Sequence, residues 1–218
     1  MQFKISKELL VQIEQLIHQK ADNELEILLN DMHHADIAEI FDELESEEAI
    51  YIFKILDSEI TAEILTELED DVREKLLRGL SAKEIAEELD ELDTDDAADI
   101  IAELPQSKKE EVISELEDVE HAKDIVDLLR YDEDSAGGLM GKELVKVNEN
   151  WNVLTCVKEM RIQAENVTRV HSIYVVDDEN RLKGRLSLKD LLTTSTKTPI
   201  SDVYIKKVDS VRVNDSNV

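Results

Sequence analysis

One apolar pattern recurs four times in the first half of the chain, and it restricts the possible folds more than any other feature. The segments Asp36–Leu44, Ile60–Leu68, Glu84–Leu92 and Asp96–Leu104 each carry aliphatic residues at helical spacing, with an alanine as the third residue. Those alanines, Ala38, Ala62, Ala86 and Ala98, are separated by 24, 24 and 12 positions. Between them, Glu48–Leu56, Val72–Leu80 and Glu110–Leu116 repeat the same i, i+3, i+4 apolar spacing. A unit of ~12 residues holds one short helix and a tight turn, and such a helix buries little by itself. Successive hairpins must therefore share their apolar stripes, which predicts an α-solenoid from about residue 6 to 131.

Helix starts are signposted. Ser81 with Glu84, and Ser107 with Glu110, have capping-box spacing, and Ser46, Ser58 and Thr94 are candidate N-caps. Pro105 follows Leu104, where a helix should stop because proline offers no N–H to continue it.

Charge divides the chain at nearly the same place as the repeat. Of 53 acidic residues, 42 lie in residues 1–135 against 12 lysines and arginines, a net charge of −30; residues 136–218 carry +2. With a Debye length of roughly 8 Å at physiological salt, carboxylates on neighbouring helices still repel one another and oppose compaction. A divalent cation shared between elements would relieve this repulsion specifically. Nucleic acid and anionic membranes are excluded as partners for this half, since binding them needs Lys and Arg to displace counterions. Regular Leu and Ile spacing argues against disorder. Two modules are expected in 218 residues. The single cysteine, Cys156, rules out an internal disulfide framework and fits a reducing, cytoplasmic setting. No stretch approaches the ~20 apolar residues of a membrane span.

Residues 140–218 follow a different pattern. Leu144–Val147 is expected as a strand, Val153–Ile162 as a helix, Ser172–Asp177 and Lys183–Ser187 as strands around a turn at Asp178, and Lys189–Thr194 as a last short helix. Lys207–Val213 has the composition of a further strand. The fold class is thus mainly α with a smaller α/β part: an acidic helical superhelix followed by a β-α-β-β-α unit.

The β-α-β-β-α order with the run IYVVDDENRLKGRLSLKDLL resembles a CBS domain, a regulatory module that works in pairs. The join RYDEDSAGGLM, following an acidic repeat that contains DDAADIIAELP, resembles the MgtE magnesium transporter family. That resemblance implies an acidic N domain over 1–131, a linker over 132–141, a first CBS repeat over 142–198 and the start of a second over 199–218. It also implies a homodimer, a cytosolic face at the cell membrane, and a transmembrane domain that these residues do not include. Mg²⁺ is the expected ligand, drawing the N and CBS domains together and favouring a closed pore.

Asp95 and Asp99 stand at i and i+4, which puts two carboxylates on one helix face about 6 Å apart. By themselves they, and Glu63 in the earlier repeat, read as solvated helix-face residues or as N-terminal charges favoured by the helix dipole. The resemblance implies that Asp95, Asp99 and Glu63 are metal ligands, joined by backbone carbonyls at Gly137 and Gly138. Mg²⁺ takes oxygen donors at roughly 2.0–2.1 Å and keeps several waters, so carboxylates from different elements suit it. Asp96 lies on a neighbouring face. Ser187 and Asp190 resemble the CBS Ser/Thr-x-x-Asp pattern, whose carboxylate engages ribose hydroxyls, which implies an adenine nucleotide as a further ligand; against this, His171 and Ser172 stand where an aromatic adenine platform would be favoured, and Asp190 by itself reads as capping or solvating the last helix. Gly137 and Gly138 are expected to supply unusual backbone angles.

Other residues are expected to be structural: His33–His34 as a surface pair, Cys156 as core, Trp151 as packing at a helix entry, and the sequons at Asn166 and Asn214 as chance matches. There is no Asp-rich calcium loop, no Gly-rich phosphate loop and no nucleophile motif, so no enzymatic activity is expected. The competing functional reading is an acidic interaction scaffold whose CBS unit senses nucleotides for a different effector.

Overall fold

The computed structural model describes residues 5–164, 167, 170 and 172–216. The chain divides into two units, residues 1–92 with 96–129, and residues 93–95 with 130–218.

The first unit is built from short helices: α1 (Lys7–Gln19), α2 (Asp22–Asn30), α3 (His34–Glu43), α4 (Ser46–Phe53), α5 (Ser58–Glu67), α6 (Asp70–Gly79), α7 (Ala82–Leu89), α8 (Thr94–Glu103), α9 (Gln106–Glu115) and α10 (Val119–Leu128). Helix α3 packs on α5, α5 on α7, and α7 on α9, while α4 packs on α6, so alternate helices stack as separate layers. This is the expected solenoid logic, in which each pair supplies the apolar cover that its neighbour lacks. The repeat alanines Ala38, Ala62, Ala86 and Ala98 are all buried, the first three on the stacked helices α3, α5 and α7. Their spacing acquires a meaning here. A step of 24 returns to the same layer, from α3 to α5 to α7, whereas the step of 12 moves Ala98 onto the next helix of the chain, α8. A side chain of one methyl suits positions where helix backbones approach closely, and the larger Phe41, Ile64, Leu65, Leu77 and Ile85 are buried in the same unit.

The caps follow the expectation in part. Ser81 and Glu84 form the reciprocal capping box at α7. At α4 the box is made by Glu45 and Glu48, so Ser46 is the first helical residue and not the cap. At α5 the cap is Asp57, whose carboxylate accepts from the Glu59 N–H, not Ser58. An acidic residue one position earlier competes well for this role because it satisfies the N–H groups and also meets the positive end of the helix dipole. Ser107 makes no box with Glu110, because α9 begins directly after Pro105, at Gln106. Pro105 does end the preceding helix, as expected.

In the second unit, β1 (Val145–Asn148), β2 (Ile173–Val176) and β3 (Leu182–Leu186) form a sheet in that order, β1 parallel to β2 and β2 antiparallel to β3. Val145 pairs with Ile173, which pairs with Leu186, and the ladder shifts between Val175 and Val176. Helices α11 (Val153–Gln163) and α12 (Leu188–Thr193) complete the β-α-β-β-α order. Alternation places Val145, Val147, Ile173 and Val175 on the buried face, where they meet Val153, Cys156, Met160, Leu186, Leu191 and Ile200. Trp151 packs at the margin of this core. Cys156 is fully buried, and burial pushes its thiol up to about 11, so it is an unreactive core residue. The β2–β3 turn is held by Asp177, whose carboxylate accepts from the Glu179 and Arg181 N–H groups, with Asn180 in the left-handed region at φ 59°. Those backbone hydrogen bonds, the one from Arg181 foremost, hold the Asp177 carboxyl below its ordinary range.

Lys207–Val213 does not form the expected strand. The segment has no continuous ladder: Val213 accepts a hydrogen bond from the Gly137 N–H, and isolated bridges pair Ile205 with Arg185 and Ser216 with Ser135 on either side of it. A β-rich composition yields a strand only where a neighbouring edge accepts its hydrogen bonds.

Candidate cation and nucleotide sites

The acidic face is made by the same periodicity that makes the core. Since one stripe of each short helix is buried, its remaining Asp and Glu residues line the opposite side. Glu63 is exposed at the middle of α5, between buried Ala62 and Ile64. Asp95 and Asp99 lie one turn apart on α8, Asp95 half-buried and Asp99 exposed. Asp96 is exposed beside them. Among the described residues no three Asp, Glu, His or Cys side chains converge closely enough to hold a metal ion. Glu63 and Asp99 belong to the first unit and Asp95 to the second. Their chemistry still fits Mg²⁺, a hard cation that keeps several waters and needs only one or two direct carboxylates.

Gly137 and Gly138 have a different role from the one expected of them. No glycine in the described residues has a positive φ, so unusual backbone angles are not what these positions supply. Space is the constraint instead. A side-chain carbon on Gly137 would lie 2.5 Å from the Tyr131 ring and 2.9 Å from the Val213 carbonyl oxygen; on Gly138 it would lie 2.4 Å from the Asp132 carbonyl oxygen. The Gly137 N–H donates to the Val213 carbonyl at 2.8 Å, and the Gly138 N–H donates to the Ser135 carbonyl at 3.1 Å.

One acidic residue absent from the sequence-derived candidates, Glu143, lies near Asp95. Residues 93–95 are part of the second unit. Within it, Glu143 accepts from the Thr94 N–H at 2.9 Å and from the Thr94 hydroxyl at 3.1 Å, while that hydroxyl accepts from the Lys142 N–H at 3.1 Å. Gly141 leaves room between two carboxylates: a carbon placed on it would be 3.1 Å from Glu143 Oε2 and 3.3 Å from Asp95 Oδ1. Glu143 carried no sequence signal, since it lies outside the repeat and next to no motif.

The nucleotide candidates occupy a defined cavity. Ser187 caps α12, its hydroxyl accepting from the Asp190 N–H at 3.4 Å, which fixes Asp190 in the first turn. Both line a cavity of about 420 Å³, together with Ile173, Arg185, Leu186 and Ile205. A carboxylate and a hydroxyl suit ribose hydroxyls, a guanidinium suits phosphate, and the aliphatic wall suits a base. Ser172 also lines the cavity; His171 and Asn166 lie outside the described residues. The pairing of Arg185 with Ile205 closes one side through two backbone hydrogen bonds, 3.1 and 2.9 Å.

Of the histidine pair, His33 is a helix cap and His34 faces a carboxylate. His33 Nδ1 accepts from the Ala35 N–H at the start of α3, and His34 Nε2 lies 3.6 Å from Glu67.

Comparison with known proteins places both units. Residues 32–134 match the MgtE intracellular N domain, and residues 136–197 match the CBS domain. A crystal structure of the cytosolic domain of the Mg²⁺ channel MgtE in complex with ATP superposes with a TM-score of 0.86 at 30% identity, covering 95% of this chain and 85% of that one. The chain belongs to the MgtE family. The magnesium transporter MgtE of Thermus thermophilus is 32% identical over 219 residues, 96% of this chain and 47% of the transporter. The MgtE of Enterococcus faecalis is 36% identical over 96 residues, 44% of this chain and 21% of that protein. A further crystal structure, of the soluble part of a magnesium transporter, superposes with a TM-score of 0.78 at 27% identity, covering 96% of this chain and 82% of that one. The chain therefore spans about half the length of the Thermus MgtE. Among the described residues no helix is long and apolar enough to cross a membrane.

Proposed function

We propose that this chain is the Mg²⁺-sensing regulatory region of an MgtE-type magnesium transporter, acting on a pore and not as an enzyme. The observation that carries the reading is a net charge of −30 over a helical stretch in which Asp95 and Asp99 stand one turn apart on a single helix. Asp95, Asp99 and Glu63 would hold the ion through carboxylate oxygens or its waters, with Gly137 and Gly138 contributing from the linker. Bound there, Mg²⁺ neutralises repulsion between the acidic domain and its neighbours and so favours the closed arrangement. Its influence is limited to its differential affinity for that arrangement over the open one.

Two features support the rest of the reading. Leu154 and Ile162 on α11, and Leu188 and Leu192 on α12, are 50–71% exposed, an apolar surface suited to a homodimer made through the CBS unit. The Ser187–Asp190 cavity, and a relative crystallised with ATP, favour an adenine nucleotide as a second ligand.

Limited proteolysis and small-angle scattering across millimolar MgCl₂, with KCl at matched ionic strength, test the cation reading. Mg²⁺ should compact and protect the chain, and the double substitution Asp95→Ala, Asp99→Ala should remove the effect. Identical cleavage and scattering with and without Mg²⁺ would overturn it.

A further inference from the structure

The carboxylates of the first unit are exposed or half-buried with one exception: among the described residues Glu88 is the sole Asp or Glu that is buried, 8% exposed. It lies on α7 and reaches Thr61 of α5, which is fully buried. Three acceptors surround the Thr61 hydroxyl: the Asp57 carbonyl at 3.1 Å, the Ser58 carbonyl at 3.3 Å and Glu88 Oε2 at 2.5 Å. A hydroxyl has a single proton to give. With Glu88 ionised, the three compete for it inside a stack where an unsatisfied acceptor is costly. With Glu88 protonated, the carboxylic acid donates to Thr61 Oγ1, and the Thr61 proton is released to a main-chain carbonyl.

Beyond the Thr61 hydroxyl, an ionised Glu88 meets repulsion. The charges that act on it are acidic: Asp57 at the start of α5, and Glu87 and Glu91 on either side along the α7 segment. Cations of the neighbouring elements are bound elsewhere. Lys54 after α4 pairs with Glu84, Lys83 with Glu87, and Arg73 of α6 with Glu103. Lys108 and Lys109 of α9 donate to the Leu80 and Ala102 carbonyls, and His121 of α10 contacts the Leu89 carbonyl.

We propose that Thr61 and Glu88 form a proton-operated latch between α5 and α7, closed when the Glu88 carboxyl is protonated and loosened when it ionises. Burial pushes this carboxyl up to about 7; the repulsion from Glu87, Glu91 and Asp57 adds to the rise, and the Thr61 hydrogen bond opposes it. The latch opens with rising pH. A carboxyl that binds its proton more tightly folded than unfolded stabilises the fold fully below its unfolded value of 4.5, and that stability disappears as pH rises through about 7. Glu88 is not one of the candidate cation ligands, so this switch is independent of the Mg²⁺ reading.

Urea denaturation of the full 218-residue chain at pH 5.5 and 8.0, in the wild type and in Glu88→Gln, tests the latch. The glutamine side chain keeps an N–H donor toward Thr61 but cannot titrate. The wild-type unfolding constant should rise on the order of tenfold or more over this interval relative to the variant. Parallel wild-type and variant profiles would overturn the proposal. A carbon-13 NMR titration of the wild-type Glu88 carboxyl reads the same group directly, whether or not the variant folds. A midpoint near 7 supports the latch, and one below 5.5 overturns it.

Discussion

Arg73 on α6 holds Glu103 at the end of α8 in a two-pronged ion pair, Nε to Oε2 at 3.0 Å and Nη2 to Oε1 at 2.6 Å. The same guanidinium donates to the Leu65 and Leu68 carbonyls at the end of α5 and to Asp70. One side chain thus closes the C-terminal end of one helix and ties two others together, while it is itself only 11% exposed. The pair raises the Arg73 pKa above its ordinary value, chiefly through the Glu103 hydrogen bond, so its charge is permanent.

Removing that side chain should be strongly destabilising. Arg73→Ala removes the donor to two main-chain acceptors and two carboxylates, Glu103 and the exposed Asp70, and is expected to cost about 2–4 kcal/mol, read as a shift of the urea midpoint at constant slope. Arg73→Lys should recover only part of this, because an ammonium cannot reproduce the planar fork.

The alanines of the repeat are predicted to be limits on volume. Ala62 and Ala86 are each 1% exposed within the α3, α5, α7 layer. Substituting either by leucine overfills the stack and should destabilise the fold by about 1–3 kcal/mol. Thermal melts of the two variants check this, with Val11→Ala, at a 49% exposed position, as a near-neutral control.

Glu84 predicts a pH dependence opposite in sign to that of Glu88. Its hydrogen bond with Lys54, and then those at the Ser81 cap, hold its carboxyl down to about 2. A depressed carboxyl contributes stability above its unfolded value of 4.5, and that stability is lost as pH falls toward 2. Glu84→Gln should therefore flatten the acid limb of the urea-midpoint profile between pH 4.5 and about 2 relative to the wild type.

Nucleotide binding is expected to depend on Asp190 through a different part of the ligand from Arg185. Asp190→Ala should weaken ATP and adenosine alike by roughly tenfold, the scale of a lost charge-assisted hydrogen bond of about 1.4 kcal/mol. Arg185→Ala should weaken ATP more than adenosine. Calorimetric titration with both ligands separates these outcomes; equal losses for both ligands in both variants would contradict the assigned roles.

Cys156 should be inert in the folded chain. A thiol with no exposed surface and a raised pKa supplies almost no thiolate, so a thiol-reactive dye should label it only on unfolding.

Much of this architecture is legible in the chain itself. The twelve-residue rhythm predicts the helices, and Ser81 with Glu84 predicts a cap that forms as expected. Ser46, Ser58 and Ser107 mislead because the same local code admits a stronger neighbour: Glu45 and Asp57 take two of those caps, and Pro105 moves the third helix start. Lys207–Val213 misleads for a non-local reason, since strand composition says nothing about which edge is available to pair with. Glu143 is invisible in the sequence because nothing in its neighbourhood separates it from the other acids, whereas Glu88 does carry a signal: it is the fifth residue of its repeat unit, where the other three units place the buried Ile40, Ile64 and Ile100.

The sequence by itself determined the split into an acidic helical unit and a balanced α/β unit, because periodicity and charge are properties of the chain. It also determined which residue types face outward, and so that carboxylates dominate one half. Tertiary structure alone decided what each of those carboxylates experiences. Stacking buries Glu88 against Thr61 and keeps Glu63 in water, although both lie on the same kind of helix. Desolvation and the nearest charges set a carboxyl's proton affinity, and both depend on which helices meet.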